Sequence, residues 1–164
     1  MRYRNIKIIC LALIFSVMLV PLQLRANELQ VDPGTILIQN VPLGKVCTLK
    51  ELTGREFTIH NKDKITHTYY LSTHQPSKTG DGKWASYRYK EIPEPKWVSF
   101  EKKEITVEAN KKKKVNLYIN IPKKEENYNQ RWEVTIEVKS KQIPGNIFVL
   151  AVYPRFQIET EEKK

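Results

Sequence analysis

Few side chains in this sequence are of types that do chemistry. His60, His67 and His74 are the only imidazoles, and Cys47 could join two of them around zinc, which takes histidine and thiolate ligands at short spacing or from facing strands. Nothing in the sequence fixes that geometry, and surface or half-buried strand histidines are the simpler reading. A nucleophilic mechanism needs a serine or cysteine beside a base and an oxyanion donor, and no glycine-framed serine is present. Glu101, Glu104, Glu125 and Glu126 fall in charged loops or at strand ends, without an apolar pocket to tune them for general acid–base work. There is no phosphate-binding glycine loop. The expectation is therefore a protein that is not an enzyme and carries neither cofactor nor metal.

Binding is better represented. The stretch from Pro76 to Pro95 is too long for a hairpin loop of about 2–5 residues, and long ordered loops are often functional. It contains Trp84, Tyr87, Arg88 and Tyr89, residue types that dominate interface energetics when exposed. A strand over Trp84 to Tyr89 would turn Tyr87 and Tyr89 to the core beside Trp97. Trp84 and Arg88 would then face outward as partner contacts, with Gly80 and Gly82 letting the loop adapt. The run Lys111 to Lys114 is the densest charge in the chain. As a hairpin tip it discourages edge pairing; as a patch, Lys112 and Lys113 would make a weak polyanion contact.

The elements that must position these groups are strands. Val115, Leu117, Ile119 and Ile121 alternate with Asn116, Tyr118 and Asn120, and Trp132, Val134, Ile136 and Val138 alternate with Glu133, Thr135, Glu137 and Lys139. A strand points successive side chains to opposite faces, so each segment presents one apolar face, leaving Glu133 on the wettable one. Covering such strands takes a second apolar layer, which makes a sandwich. Further strands are expected at Leu29 to Val31, Thr35 to Gln39, Val46 to Leu49, Phe57 to His60, Ile65 to Ser72, Val98 to Glu101 and Ile105 to Ala109. The turn at Asp32, Pro33 and Gly34 suits an edge strand that passes from one sheet to the other. Tyr69 and Tyr70 at opposite parities predict a strand covered on both faces. A final strand over Ile147 to Tyr153, apolar at both parities, should be buried on both sides, followed by a short run from Arg155 to Ile158. After the N-terminus no helical pattern of ten residues or more is found.

Turn signals roughly every 8–12 residues predict an all-β, immunoglobulin-like sandwich of seven to nine strands. The segments Ile92 to Val98, Ile105 to Asn110, Val115 to Pro122 and Trp132 to Val138 are more specific. They resemble the single-domain immunoglobulin-like modules of prokaryotic secreted and surface proteins, which are similar to pilus-chaperone and major-sperm-protein sandwiches. With the asparagine turn at Asn61, the resemblance spans about residues 31–153. It implies a fold and not an activity. Many such modules carry a glycine before the closing strand, where this chain has Asn129 and Gln130. A pilus chaperone has two domains and a basic pair that grips a subunit carboxylate, whereas this chain has length for one domain.

The N-terminus opens with Arg2, Arg4 and Lys7 before an apolar run from Ile8 to Val20. As a helix this run rises only about 20 Å, short of a hydrocarbon core of roughly 30 Å, so it reads as an export signal over residues 1–26. An uncleaved anchor, extended by Leu22 and Leu24, is the alternative. Cys10 lies inside this run, leaving Cys47 alone in the domain without a disulfide partner. The expected division is signal 1–26, sandwich 27–158 and charged tail 159–164. Loss of Arg2, Arg4, Lys7 and Arg25 reduces the 28 basic residues to 24 against 18 acidic ones, a net charge of +6. Both readings place the domain outside the cytoplasm, in the periplasm, at the cell surface or secreted. Partners are then a protein or an envelope component, with no nucleic acid, and a membrane only if the N-terminal segment is uncleaved. The functions that follow are a non-catalytic interaction or structural module of the envelope or surface, or a soluble periplasmic binding or assembly factor using the aromatic loop 74–97.

Overall fold

The computed structural model of the chain describes residues 29–142 and 149–163. The expected signal helix, and the turn at Pro144 to Asn146, lie outside the described residues. The larger sheet has β11 (Arg131–Ser140) at its centre, paired antiparallel with β5 (His67–His74) and with β13 (Arg155–Thr160). Its edges are β2 (Thr35–Val41), parallel to β13, and β8 (Glu104–Val107), antiparallel to β5. Short pairings of β11 with β6 (Lys90–Glu91) and β12 (Ala151–Val152) complete it.

Two smaller sheets form the facing layer. One runs β1 (Leu29–Asp32), β4 (Phe57–Asn61), β9 (Lys112–Val115); the other runs β3 (Cys47–Thr48), β10 (Leu117–Ile119), β7 (Val98–Phe100). Alternation fills the space between the layers. Ile36 and Ile38 of β2, Phe57 and Ile59 of β4, Leu117 and Ile119 of β10, and Phe156 and Ile158 of β13 are all buried. The ring of Phe57 meets Phe156 across the sandwich edge-on, with centroids 6.0 Å apart. Trp97 packs on Trp132 at 5.4 Å. The mostly β, immunoglobulin-like architecture is thus present, and β1 and β2 do part into different layers at the Asp32–Gly34 turn.

Several elements differ from expectation. The stretch from Val115 to Ile121 is two strands, because Asn116 hands the chain from β4 to the β3–β7 pair while keeping Val115 and Leu117 both buried. Strand breaks of this kind raise the number of segments above nine. Leu49 opens a short helix, α1 (Leu49–Thr53), where Thr48 and Glu51 form a reciprocal capping box and Gly54, at φ 72°, ends it. Tyr70 is 40% exposed while Tyr69 is buried, so β5 is open on that face, where Lys141 stacks on the Tyr70 ring. Among the described residues of the expected 147–153 strand, Ala151–Val152 are paired as a strand and Val149 is exposed, and the closing strand is β13. That strand takes in Glu159 and Thr160, which the expected division placed in the tail.

Buried Asn61 fastens the turns at one end of the sandwich. Its Nδ2 donates to the carbonyls of Ile65, Val107 and Glu108 at 2.7, 3.0 and 3.0 Å, and its Oδ1 accepts from Asp63 N. At the opposite end Asn129, at φ 56°, adopts the left-handed conformation that asparagine tolerates better than most residues.

Trp132→Ala should lower stability by about 3–5 kcal/mol, because it empties a fully packed site against Trp97. Denaturant unfolding checks this, and Lys124→Ala, on the exposed loop before β11, should leave the midpoint unchanged.

Candidate functional site

The segment between β5 and β6 lies over the outer face of the larger sheet, and polar groups hold it there. Glu133 of β11 is completely buried. Its Oε1 accepts from Arg155 Nη1 at 2.7 Å, and its Oε2 accepts from Ser86 N at 3.2 Å and Gln157 Nε2 at 3.3 Å. The same Arg155 Nη1 donates to Trp84 O at 2.7 Å, and Nη2 stands 3.6 Å from Asp81 Oδ2. Tyr89 donates to Glu159 Oε1, Ser77 N donates to Glu91 Oε1, and Ile92 N donates to Glu133 O. The expectation that Glu133 faces water is therefore wrong. Alternation was read correctly, but the loop roofs over the polar face and turns it into a second, ionic interior.

Electrostatics follow from this enclosure. Burial pushes the Asp81 carboxyl upward, but hydrogen bonds from Thr79 and Lys83 N and the charges of Arg155 and Lys83 outweigh it and hold Asp81 below its ordinary value. Burial, then the hydrogen bond to Glu159, raises the Tyr89 phenol. Gly80 fits because a Cβ there would stand 2.7 Å from the Tyr153 hydroxyl, and Gly82 takes φ 65°. Gly80 thus serves close approach and Gly82 a tight turn.

The anchored backbone presents its aromatics outward. Trp84 is 75% exposed and Tyr87 88% exposed. Arg88 is also exposed, at φ 74°, with its guanidinium 5.5 Å from the Tyr87 ring centre. No strand forms over Trp84 to Tyr89; the pairing begins at Lys90. Tyr87 consequently does not face the core as its parity with Tyr89 implied. Lys112 and Lys113 lie on β9 and not at the tip of the preceding turn, which is formed by Ala109 and Asn110; they are exposed along an edge of the smaller layer, remote from the loop.

The histidines do not converge. His67 is buried against Asp63 Oδ2 at 2.7 Å, His74 meets Ser72 Oγ at 2.8 Å and Glu137 at 3.4 Å, and His60 sits on β4 opposite Lys112. Cys47 is buried on β3. Among the described residues no group of three histidine, cysteine or carboxylate side chains could hold a metal ion. Sequence reasoning missed Asp81, Glu133 and Arg155. The available signal was indirect: a long polar loop with almost no aliphatic residues has to be anchored by something other than a core.

A profile of the Fn3-like domain family matches residues 47–144. Among solved structures the chain is similar to the ASH/PapD-like domain 7 of human CEP192, at 10% identity and TM-score 0.57, covering 85% of this chain and 89% of that one. It is similar to a protein of unknown function from Porphyromonas gingivalis at 10% identity and TM-score 0.56, covering 83% and 49%. A chaperone–tip adhesin complex of CFA/I fimbriae matches at 11% identity and TM-score 0.50, covering 82% and 56%. The chain thus spans about half the length of the latter two. No curated protein sequence matches.

Glu133→Ala should destabilise by about 3–5 kcal/mol, because it removes the closest charge partner of the enclosed Arg155 and leaves it only Asp81 at 3.6 Å, and Glu133→Ala/Arg155→Met should recover most of that loss in thermal unfolding. Since Asp81 is held below its ordinary value of 3.8, its contribution is complete above that pH and disappears as pH falls through the depressed value. Amide exchange over Lys83 to Tyr89 should accelerate in that acid range, and Asp81→Asn should show the faster exchange at neutral pH with no such acid step.

Proposed function

The chain belongs to the Fn3-like domain family, and on that premise we propose that it is a protein-binding module of the cell envelope or surface, with the 79–91 loop as its contact surface. Domains of the Fn3-like and PapD-like kind are generally non-catalytic modules. The observation that carries the reading is the exposure of Trp84 and Tyr87 on a backbone fixed by the Glu133–Arg155 pair. Large aromatic side chains held rigidly in water lose little conformational freedom on contact, which is what an interface anchor needs. Arg88, over the Tyr87 ring, adds a charged donor beside them. The basic head and apolar run at the N-terminus support a place outside the cytoplasm.

The CFA/I complex contains a chaperone and a tip adhesin, which supports a protein and not a small molecule as the partner class. In this reading Trp84 and Arg88 are the principal contacts, Tyr87 joins them, and Lys112 and Lys113 are not part of the surface.

A photo-crosslinking residue at position 84 should capture a discrete partner in intact cells, and the same residue at Lys124 should not. Trp84→Ala/Arg88→Ala should abolish binding to the captured partner while the thermal unfolding midpoint stays unchanged. Normal binding by that variant would overturn the loop as the contact surface.

A further inference from the structure

We propose that the open pocket between the β4–β5 turn and the β8–β9 turn binds a phosphate-bearing ligand. It has a volume of about 400 Å³ and is lined by His60, Asn61, Lys62, Asn110, Lys111 and Lys112. No carboxylate is among these lining residues. Lys50 and Lys114, in the same layer, are both engaged by Glu56, whereas no described ion pair involves Lys62, Lys111 or Lys112. Asp63, the carboxylate of the β4–β5 turn, is buried and turned to His67. The pocket therefore gathers three lysines that no described ion pair engages, with Glu108 on the β8–β9 turn the nearby carboxylate outside its lining.

Its frame is rigid. Asn61 N donates to Lys111 O at 2.9 Å, Asn110 N donates to Asp63 O at 3.0 Å, and the buried Asn61 side chain binds both turns together. Asn110, at φ 56°, makes the tight turn that returns Lys112 to the position opposite His60. Three ammonium groups with three donors each suit a tetrahedral dianion with several acceptor oxygens better than a single carboxylate. The pocket exceeds a phosphate in size and has room for the group esterified to it. That group comes on a lipid headgroup or on a soluble phosphoester. Leu29, at the start of β1, pairs with Asn61. The pocket shares no residue with the 79–91 loop, and this inference stands apart from the reading given above.

Titrating the folded chain with inorganic phosphate should give saturable amide shifts at Asn61, Lys62, Lys111 and Lys112. Lys62→Ala/Lys111→Ala/Lys112→Ala should weaken binding about fivefold per lysine, on the order of 100-fold in all. These side chains are exposed, so the variant should unfold at the parent midpoint. Lys102→Ala/Lys103→Ala, in the β7–β8 connection where Lys103 O accepts from Leu71 N, should bind as the parent does. Retention on phosphatidic acid vesicles, which carry a phosphomonoester, but not on phosphatidylcholine vesicles, reversed by phosphate, assigns the lipid headgroup. Phosphate binding without vesicle retention assigns the soluble phosphoester. Absence of saturable shifts, or an equal loss in the two lysine variants, would overturn the site.

Discussion

The ion pair between Glu133 and Arg155 is the constraint on which the outer face of this sandwich depends. Two charges taken out of water need partners for their remaining donors and acceptors, and here two strands and a loop supply most of them, although Arg155 Nη2 has no hydrogen-bond partner and meets Asp81 only as an ion pair. Gln157 comes from β13, Ser86 N and Trp84 O come from the loop, and Asp81 faces the second guanidinium nitrogen. The dependence runs both ways. The loop has no aliphatic anchor of its own, so the pair fixes its backbone, and the loop in turn keeps water from the pair. Trp84 and Tyr87 remain exposed because the loop is held by backbone groups and not by burying its aromatics.

Legibility differed between the two faces of the same strand. The apolar parity of β11 located Trp132, Val134, Ile136 and Val138 in the core, since burial against the facing layer is what that pattern encodes. The polar parity said nothing about whether Glu133 meets water or a lid, because a buried, paired carboxylate and a solvated one have the same place in the alternation. The break at Asn116 was hidden for a related reason: alternation continues unaltered when a strand leaves one partner for another. Trp84 and Arg88 were read as outward from a strand that does not exist, and their exposure arises from the anchored turn instead. The lysine run was read as a hairpin tip, but the pocket beside it was not, because that pocket needs His60 of β4 and Lys62 of the turn after it brought alongside.

The aromatic loop and the basic pocket occupy opposite ends of the larger sheet's strands. Glu133 pairs with Glu91 under the loop, while Ser140 pairs with Tyr69 near the His67 and Asn61 end. Seven residues of extended chain at about 3.3 Å each separate them by about 23 Å. The two candidate surfaces therefore do not overlap.

The parallel pairing of β2 with β13 has a mechanical meaning. Thr35 lies beside Arg155 and Val41 beside Thr160, so the two strands point the same way. Tension applied ahead of Thr35 and beyond Thr160 pulls the pair along its own axis from opposite ends, and the interstrand hydrogen bonds share that load together instead of opening one after another. The strands that bring the chain into the larger sheet and lead it out again thus act as a shear clasp, suited to a module held under tension between two attachments.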